Sequence, residues 1–135
     1  MLRAAERTFL LDGDEAAQVS TGSQALHQFR IAAKRLRYTM ELFAALDEAA
    51  FSGRIEAVRE LQQILGDIHD CAVNAEIVRE LGGPAAIERR LLLRQRRHTA
   101  AFRREWPRIR VALSQVHRVE HPTAGQEPGT SPTID

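Results

Sequence analysis

Apolar residues recur at alternating intervals of three and four along three long segments of this chain, and no segment alternates with a period of two. The first spacing places side chains on one face of an α-helix, whereas half-buried strands require the second. We therefore predict helices over about 24–46, 51–81 and 85–115. Gly82–Pro84 separates the last two, because glycine favours helix C-termini and proline favours helix N-termini. The pattern predicts an all-α protein.

Both ends of the chain differ in composition from these segments. The first ten residues predict a short helix, and the following LDGDEAAQVSTGSQ collects Asp, Gly, Ser and Thr, as connectors do. Ser23 has the chemistry of an N-cap for the next helix. The fold class we expect is an antiparallel hairpin bundle of three long helices plus the short N-terminal helix. The predicted units are the N-terminal helix and connector over 1–23, the helical domain over 24–116 and a disordered tail over 117–135.

Composition excludes several classes of protein. The chain has 135 residues and is 44% hydrophobic, which suits one folded domain or a fragment of a larger one. A single cysteine, Cys71, excludes an intrachain disulfide framework and a Cys-rich zinc site, and we expect it to be a small buried residue. No apolar stretch approaches the about 20 residues of a membrane-spanning helix. The N-terminal segment lacks a signal-peptide pattern, so we expect a cytoplasmic protein without a membrane partner.

Charge is strongly segregated although the formal net charge is only +1. Residues 25–43 and 88–110 are basic, and residues 47–81 between them are acidic. Lys34 is the only lysine among 19 basic residues, and the others are arginines. Arginine favours bidentate contacts with phosphate or carboxylate, so the bias suits an anionic ligand. A GC-rich genome would produce the same bias.

The first predicted long helix carries a line of basic side chains beside its apolar face. We name this line the basic stripe, and its members are His27, Arg30, Lys34 and Arg37. Their spacing of three and four residues places them together, and like charges at this spacing repel each other. A bound polyanion would offset the repulsion. Interhelical salt bridges to the acidic segment are the alternative, with candidate partners Asp67, Asp70 and Glu76.

The third predicted long helix is rich in arginine. Residues 88–110 hold nine arginines, several of them recurring every seven residues, and only two glutamates. Such a band suits an anion, and a solvated helix face is the alternative. Pro107 lies within this segment, and we expect it to kink or break the helix.

The segment LGDIHD, residues 65–70, carries the weaker signals. Gly66 sits inside a helical pattern, where glycine costs about 1 kcal/mol relative to alanine, so we expect another helix to approach it closely. Asp70 is expected to pair with a cation of the preceding helix. A metal site is weakly indicated, because Asp67 and Asp70 share a face while His69 diverges. No nucleotide-binding loop or catalytic constellation is present, so we expect binding without enzymatic turnover and assign no catalytic residue.

Two motifs resemble the CHAD domain family, the conserved histidine α-helical domain. Residues 27–38 read HxxRIxxKRLRY and are followed by Glu41-Leu42-Phe43, and LQQILGDIHD at 61–70 is similar to the family's LQxxLGxxxD segment. The resemblance covers roughly residues 20–115 and corresponds to the second half of the family's pattern.

The resemblance implies an all-helical, non-catalytic module that binds inorganic polyphosphate in a basic groove, with no cofactor and no metal. It further implies an association with polyphosphate granules. The basic stripe would contact the phosphates, together with Arg35 and Tyr38. Arginines of the last helix would line the other side of the groove, namely Arg90, Arg94, Arg97 and Arg104.

One departure from the family concerns symmetry. Family members contain two similar helical halves, each opening with a His-and-Arg helix, whereas we find one such helix here. Our hypothesis is that two chains pair as an isologous homodimer and restore the two-fold groove. The alternative is a truncated or relic domain with weak binding.

Two other functions stay open. A nucleic-acid-binding helical protein would also use a basic band, but the aromatic residues fit a core better than stacking platforms, so nucleic acid is the less favoured partner. A structural or metal-chelating protein would centre on His27, His69 and His98, which are scattered over three predicted helices.

Overall fold

The computed structural model describes residues 2–18 and 21–115, and within them the chain forms four α-helices and no strand. The all-α prediction of three long helices preceded by an N-terminal helix is confirmed. The predicted tail over 117–135 lies outside the described residues. The helices are α1 (Leu2–Ala16), α2 (Ser23–Ala44), α3 (Glu48–Glu80) and α4 (Ala85–Ser114).

Helix α1 extends further than the sequence predicts. It continues to Ala16, so the first part of the predicted connector is helical. Gly13 is buried there, in contact distance of the rings of Trp106 and Phe29. Asp14 accepts hydrogen bonds from Arg110 and from the indole of Trp106. These tertiary contacts outweigh the low helix propensity of Gly and Asp.

The helix ends show how local sequence sets the boundaries. Ser23 is the first residue of α2 and not its N-cap as predicted, since Gly22 occupies that position without a side-chain cap. Asp47 caps α3, and its Oδ1 accepts a hydrogen bond from the backbone N–H of Ala50 at 3.4 Å. A carboxylate at this position also interacts favourably with the positive end of the helix dipole.

The turn between α3 and α4 is a Schellman motif at Gly82. Its φ of +65° is the left-handed conformation that glycine adopts without strain. The N–H of Gly83 donates to the carbonyl of Val78 at 2.8 Å, and that of Gly82 donates to Arg79 at 3.1 Å. The predicted glycine stop is therefore confirmed, and α4 begins directly after Pro84.

Pro107 does not end α4, so a break at this position is the wrong prediction. The helix continues to Ser114. Trp106 and Ile109 on either side of the proline are both buried, and they hold this stretch against the other helices. Packing of an apolar helix face supplies most of the stability of a helix in a protein, which offsets the hydrogen bond lost at proline.

One hydrophobic core joins the four helices. Phe9 of α1 stacks on Phe29 of α2 with centroids 4.8 Å apart, and Trp106 of α4 meets Phe29 edge-on at 5.5 Å. Helix α3 packs against both α2 and α4 and contributes fully buried residues such as Leu61. Cys71 is buried as expected. The core fixes the rotation of each helix, and this rotation decides which polar faces meet.

The α3–α4 hairpin has an apolar surface near its turn. Both helices are longer than α2, and large hydrophobic side chains near Gly82 remain exposed. Leu81 is the most exposed of them, at 80%. They also include Ile77, Ile87 and Leu93. Among the described helices, none is both long and apolar enough to cross a lipid bilayer.

Candidate functional site

The buried face of α2 sets the direction of the basic stripe. The predicted apolar positions are buried from Leu26 to Met40, and only Phe43 at the end of the series is exposed. Because the basic stripe lies directly beside this face, its side chains leave α2 at the edge of the core. His27, Arg30 and Arg37 are half-buried, and Lys34 is exposed.

A line of residues on α3 lies opposite the basic stripe. The two helices are antiparallel and are joined by a short connection. At the end near that connection, Nη2 of Arg59 lies 3.5 Å from Oε1 of Glu41. At the other end the rings of His27 and His69 stack with centroids 4.8 Å apart and planes 17° apart. Helical spacing places Gln62 and Gly66 between these contacts on the same line of α3.

We name this region the α2–α3 seam. It consists of the basic stripe on α2 and of four residues on α3, namely Arg59, Gln62, Gly66 and His69.

The two stacked histidines form one end of the seam. They border a small cavity of about 30 Å³ whose lining also includes Leu26, Ile68 and Gln95. Burial lowers the pKa of His69, the charges of Arg30 and His27 lower it further, and Asp70 partly opposes them. A lowered pKa keeps the His69 imidazole neutral near pH 7, and a neutral ring stacks without charge repulsion.

Arg30 and Lys34 in the middle of the seam have no carboxylate partner among the described residues. Arg37 interacts with Glu41 one turn further along α2, at 3.6 Å between Nε and Oε1. Among residues 2–18 and 21–115, no carboxylate oxygen lies within 4.0 Å of the charged groups of Arg30 or Lys34.

The alternative of interhelical salt bridges from the basic stripe to the acidic segment is therefore wrong, and so is the predicted pairing of Asp70 with a cation of α2. None of the three candidate carboxylates, Asp67, Asp70 and Glu76, forms an ion pair with another described residue. Asp67 instead accepts a hydrogen bond from Gln63 at 3.1 Å, one turn earlier on α3. Asp70 is exposed, and its charge acts on His69 only from a distance. Repulsion within the basic stripe is not offset by these acids.

Gly66 leaves the centre of the seam open. A Cβ added at this position would meet no atom within 4 Å, so the predicted close approach of another helix is wrong. The residue is half-buried and lies one turn before His69. Glycine costs helix stability here without gaining a packing contact, and it keeps a side chain out of the seam.

The arginines of α4 fall into two groups. Near the C-terminus of α4 they are structural. Arg110 donates two hydrogen bonds to Asp14, at 2.8 and 3.0 Å. Arg108 pairs with Glu60 of α3 and with Glu105. The N-terminal arginines of α4 have no carboxylate within 4.0 Å among the described residues; they are Arg89, Arg90, Arg94, Arg96 and Arg97.

None of the four predicted ligand arginines of α4 lines the small cavity at the stacked histidines. Arg94 lies near Cys71, where its charge lowers the thiol pKa against the dominant effect of burial, which raises it. Cys71 and His69 are two positions apart and point to nearly opposite sides of α3. Arg94 is therefore separated from His27 by the width of α3. Arg90 and Arg97 are exposed near the same edge of α4, and exposed Arg104 lies 3.8 Å from Glu105.

Arg35 and Tyr38, the two other ligands predicted on α2, have different surroundings in the structure. Arg35 lines a cavity between α1 and α2 together with Leu2 and Phe9, on the side of α2 away from the seam. Tyr38 is 53% exposed, and the Arg37 guanidinium lies over its ring at 5.0 Å from the centroid. Tyr38 therefore extends the basic stripe, whereas Arg35 does not.

His69 is the residue that the predicted polyphosphate site left out. The sequence analysis had named it only for the metal-chelating alternative and as diverging from Asp67 and Asp70. Counting outward from the predicted connection between the first two long helices would have placed His27 opposite about residue 70, because antiparallel helices rise equally by about 1.5 Å per residue.

Within the part of the chain that the structure describes, no three His, Cys, Asp or Glu side chains come together as a metal site would require.

These features define an all-helical bundle that carries a stripe of cations on one helix. The CHAD domain model matches residues 1–79, which is more than half of the chain. The chain belongs to the CHAD domain family. The match includes α1, which the sequence analysis placed outside the resemblance, and it ends within α3, so α4 lies beyond it. The comparison with curated proteins and the comparison with solved structures give no match.

Proposed function

We propose that this protein is a non-catalytic module that binds inorganic polyphosphate, and that the α2–α3 seam is its basic groove. The observation that carries the proposal is the alignment of the basic stripe while Arg30 and Lys34 have no carboxylate within 4.0 Å among the described residues. The charges on this face are held together by the buried side of α2, and a bound polyanion would offset their repulsion. Membership of the CHAD family supports the same ligand.

The shape of the seam suits a long anion more than a compact one. From residue 27 to residue 37 the basic stripe extends about 15 Å at the α-helical rise of about 1.5 Å per residue. The small cavity that the two stacked histidines border is about 30 Å³, too small to enclose a ligand. A chain of phosphates lying along the surface would meet one cation after another. Arginine binds such oxygens as a planar fork and lysine as a point charge.

The roles that we propose for the seam residues require hydrogen-bond donors and no catalytic group. Arginine, lysine and amide side chains hold phosphate oxygens without exchanging protons near neutral pH. His69, kept neutral by its lowered pKa, still donates one N–H. An approaching polyanion would favour the protonated form of His69, so we expect binding to take up protons.

A titration with long-chain polyphosphate at two salt concentrations tests the proposal. Binding to several phosphates releases condensed counterions, so the affinity should fall steeply as salt is raised. Fluorescence anisotropy with labelled polyphosphate provides the measurement. Absence of binding at low salt contradicts the proposal.

Competition with nucleic acid distinguishes the alternative partner. Duplex DNA and RNA carry phosphates at fixed positions around a wide helix, whereas the seam is a single line of cations. We expect unlabelled polyphosphate to displace the labelled chain at a far lower phosphate concentration than either nucleic acid does. Preference for DNA or RNA would favour the nucleic-acid alternative.

We further propose that a second copy of the chain covers the apolar surface near the α3–α4 turn. Ile77, Leu81 and Ile87 are exposed there, and a two-fold axis would bring the same residues of two copies together. Such a homodimer would present two seams to one polyphosphate chain. Light scattering after size-exclusion chromatography tests it, and a 15.2 kDa monomer at high protein concentration contradicts it.

The site of action we propose is the cytoplasm, at polyphosphate granules. The support is the proposed ligand itself, because a binding module concentrates where its polyanion is stored. A fluorescent fusion should co-localise with stained granules, and an even distribution in granule-containing cells would contradict this placement.

A further inference from the structure

A larger cavity opens beyond the histidine end of the seam. It measures about 470 Å³ and lies between the N-terminal end of α2 and the middle of α4. Its polar lining residues are Thr21, Ser23, Gln95, Arg96, Thr99 and Arg103. We name it the α2–α4 cleft.

The cleft is continuous with the seam. The small cavity at the stacked histidines shares three lining residues with it, namely Ser23, Leu26 and Gln95. A polyphosphate chain that lies along the basic stripe from Arg37 towards His27 would therefore reach the opening of the cleft. Two cationic surfaces that meet in this way form one path for an extended ligand.

The chemistry of the cleft suits phosphate oxygens. None of the described residues that line it is acidic. Arg96 is exposed and Arg103 is half-buried, and one helical heptad separates them, so they lie on one line of α4. The hydroxyl of Thr99 between them donates to the carbonyl of Gln95 at 2.8 Å, which fixes its position on the cleft wall.

This line of α4 differs from the one that the family resemblance pointed to. Arg94 faces the Cys71 side of α3, and Arg97 is exposed near the same edge. Arg96 and Arg103 face α2 and border the cleft. The contribution of α4 to a polyanion site therefore comes from the opposite edge of the helix.

We propose that a polyphosphate chain bound along the seam continues past His27 and Ser23 into the α2–α4 cleft, where Arg96 and Arg103 bind its phosphates. The inference rests on the proposed function and extends it to a second binding surface. It predicts that affinity for long chains depends on Arg96 although this residue lies outside the basic stripe and outside the residues matched by the family.

Two exposed arginines provide the test and its control. Arg96→Gln removes a charge that borders the α2–α4 cleft, and Arg7→Gln removes the same charge from an exposed position of α1 that does not line it. We expect Arg96→Gln to weaken binding of long-chain polyphosphate about fivefold to tenfold, and to reduce the salt slope by about one, as the loss of one phosphate contact does. Arg7→Gln should stay within about twofold of the parent.

A second variant protects the test against effects on folding. Arg103→Lys retains a positive charge at the half-buried position but loses the planar fork, so it should weaken binding less than Arg96→Gln does. Thermal melting followed by circular dichroism shows whether each variant remains folded.

The outcomes separate the two proposals. If the parent binds polyphosphate, loss of affinity in Arg96→Gln alone supports the cleft. Equal affinities for Arg96→Gln and Arg7→Gln overturn the cleft and leave the seam intact. If the parent does not bind polyphosphate at low salt, both the proposed function and the cleft are overturned.

Discussion

Asp14 connects the first helix to the last. Its carboxylate accepts a hydrogen bond from the Trp106 indole at 2.9 Å and two from the Arg110 guanidinium. The hydrogen bonds from Arg110 are the largest cause of its lowered pKa, and the bond from Trp106 acts in the same direction. Arg110 therefore stabilises the fold, although its spacing in the sequence places it in line with other arginines of α4.

Replacing Asp14 should destabilise the protein measurably. Asp14→Ala leaves Trp106 and Arg110 without their acceptor, and we expect a loss of about 1–2 kcal/mol in the free energy of unfolding, a partly exposed ion pair being worth less than a buried one. Urea denaturation measures it, with exposed Asp12→Ala on the same helix as the control. Equal stability of the two variants would refute the role of Asp14.

The same carboxylate has a defined pH dependence. Because its pKa is lowered below 3.8 in the folded protein, the unfolded chain binds a proton more readily. The stabilisation is present above pH 3.8 and is lost as pH falls towards the folded value.

Two glycines should respond to alanine with opposite signs. A Cβ at Gly13 would overlap the Trp106 ring, so Gly13→Ala should cost several kcal/mol, as overpacking in a core does. A Cβ at Gly66 meets no atom within 4 Å, so Gly66→Ala should gain up to about 1 kcal/mol from helix propensity. Thermal unfolding of both variants measures this, and a stabilised Gly13→Ala would contradict the packing of α1.

Sequence alone could not have distinguished these two glycines. Gly66 lies in a strongly periodic segment, and Gly13 lies in a stretch whose composition is typical of a connector. Whether a glycine faces a ring or open space depends on contacts with residues nearly 100 positions away, such as Trp106. Local propensity carries no information about such contacts.

At the scale of helices, α2 could be predicted almost completely and α1 could not. The alternating spacing from Leu26 to Met40 is strong enough to determine which face is buried. The extent of α1 depends on its contacts with α2 and α4. The continuation of α4 past Pro107 also depends on tertiary contacts, because the residues on both sides of the proline are packed in the core.

The contact between α2 and α3 at the histidines should make the protein sensitive to pH. The pKa of His69 lies below its ordinary value of 6.5, so the unfolded chain takes up a proton first as pH falls. Stability should therefore decrease as pH falls below about 6.5, and His69→Gln should reduce this decrease. The groups acting on His69 are His27 and Arg30 of α2 and Asp70 of α3.

Polyphosphate affinity should change in the opposite direction as pH falls. Protonation of His69 adds positive charge at the end of the seam, so binding should strengthen as pH falls towards the lowered pKa of His69 in the folded protein. Anisotropy titrations at several pH values measure this effect. A His69→Gln variant that shows the same strengthening as the parent would exclude His69 as its source.

At the scale of the whole molecule, residues that form a basic segment in the sequence do not all lie on one basic surface in the structure. The basic stripe could be predicted because one helix carries all of it. Its surroundings could not, because the rotation of α3 and α4 about their axes is set by core packing. That rotation brings His69 to the seam, turns Arg94 to the far side of α3 and places Arg110 on Asp14.

Two double variants of equal charge test the central claim most directly. Arg30→Gln with Lys34→Gln removes two cations, four residues apart, from the seam. Arg3→Gln with Arg7→Gln removes two cations at the same spacing from exposed positions of α1. The account predicts that the seam variant binds long-chain polyphosphate at least about tenfold more weakly than the parent, while the α1 variant stays within about twofold, each tenfold being about 1.4 kcal/mol. Equal weakening by both variants would show that net charge alone governs binding, and would contradict the assignment of the seam.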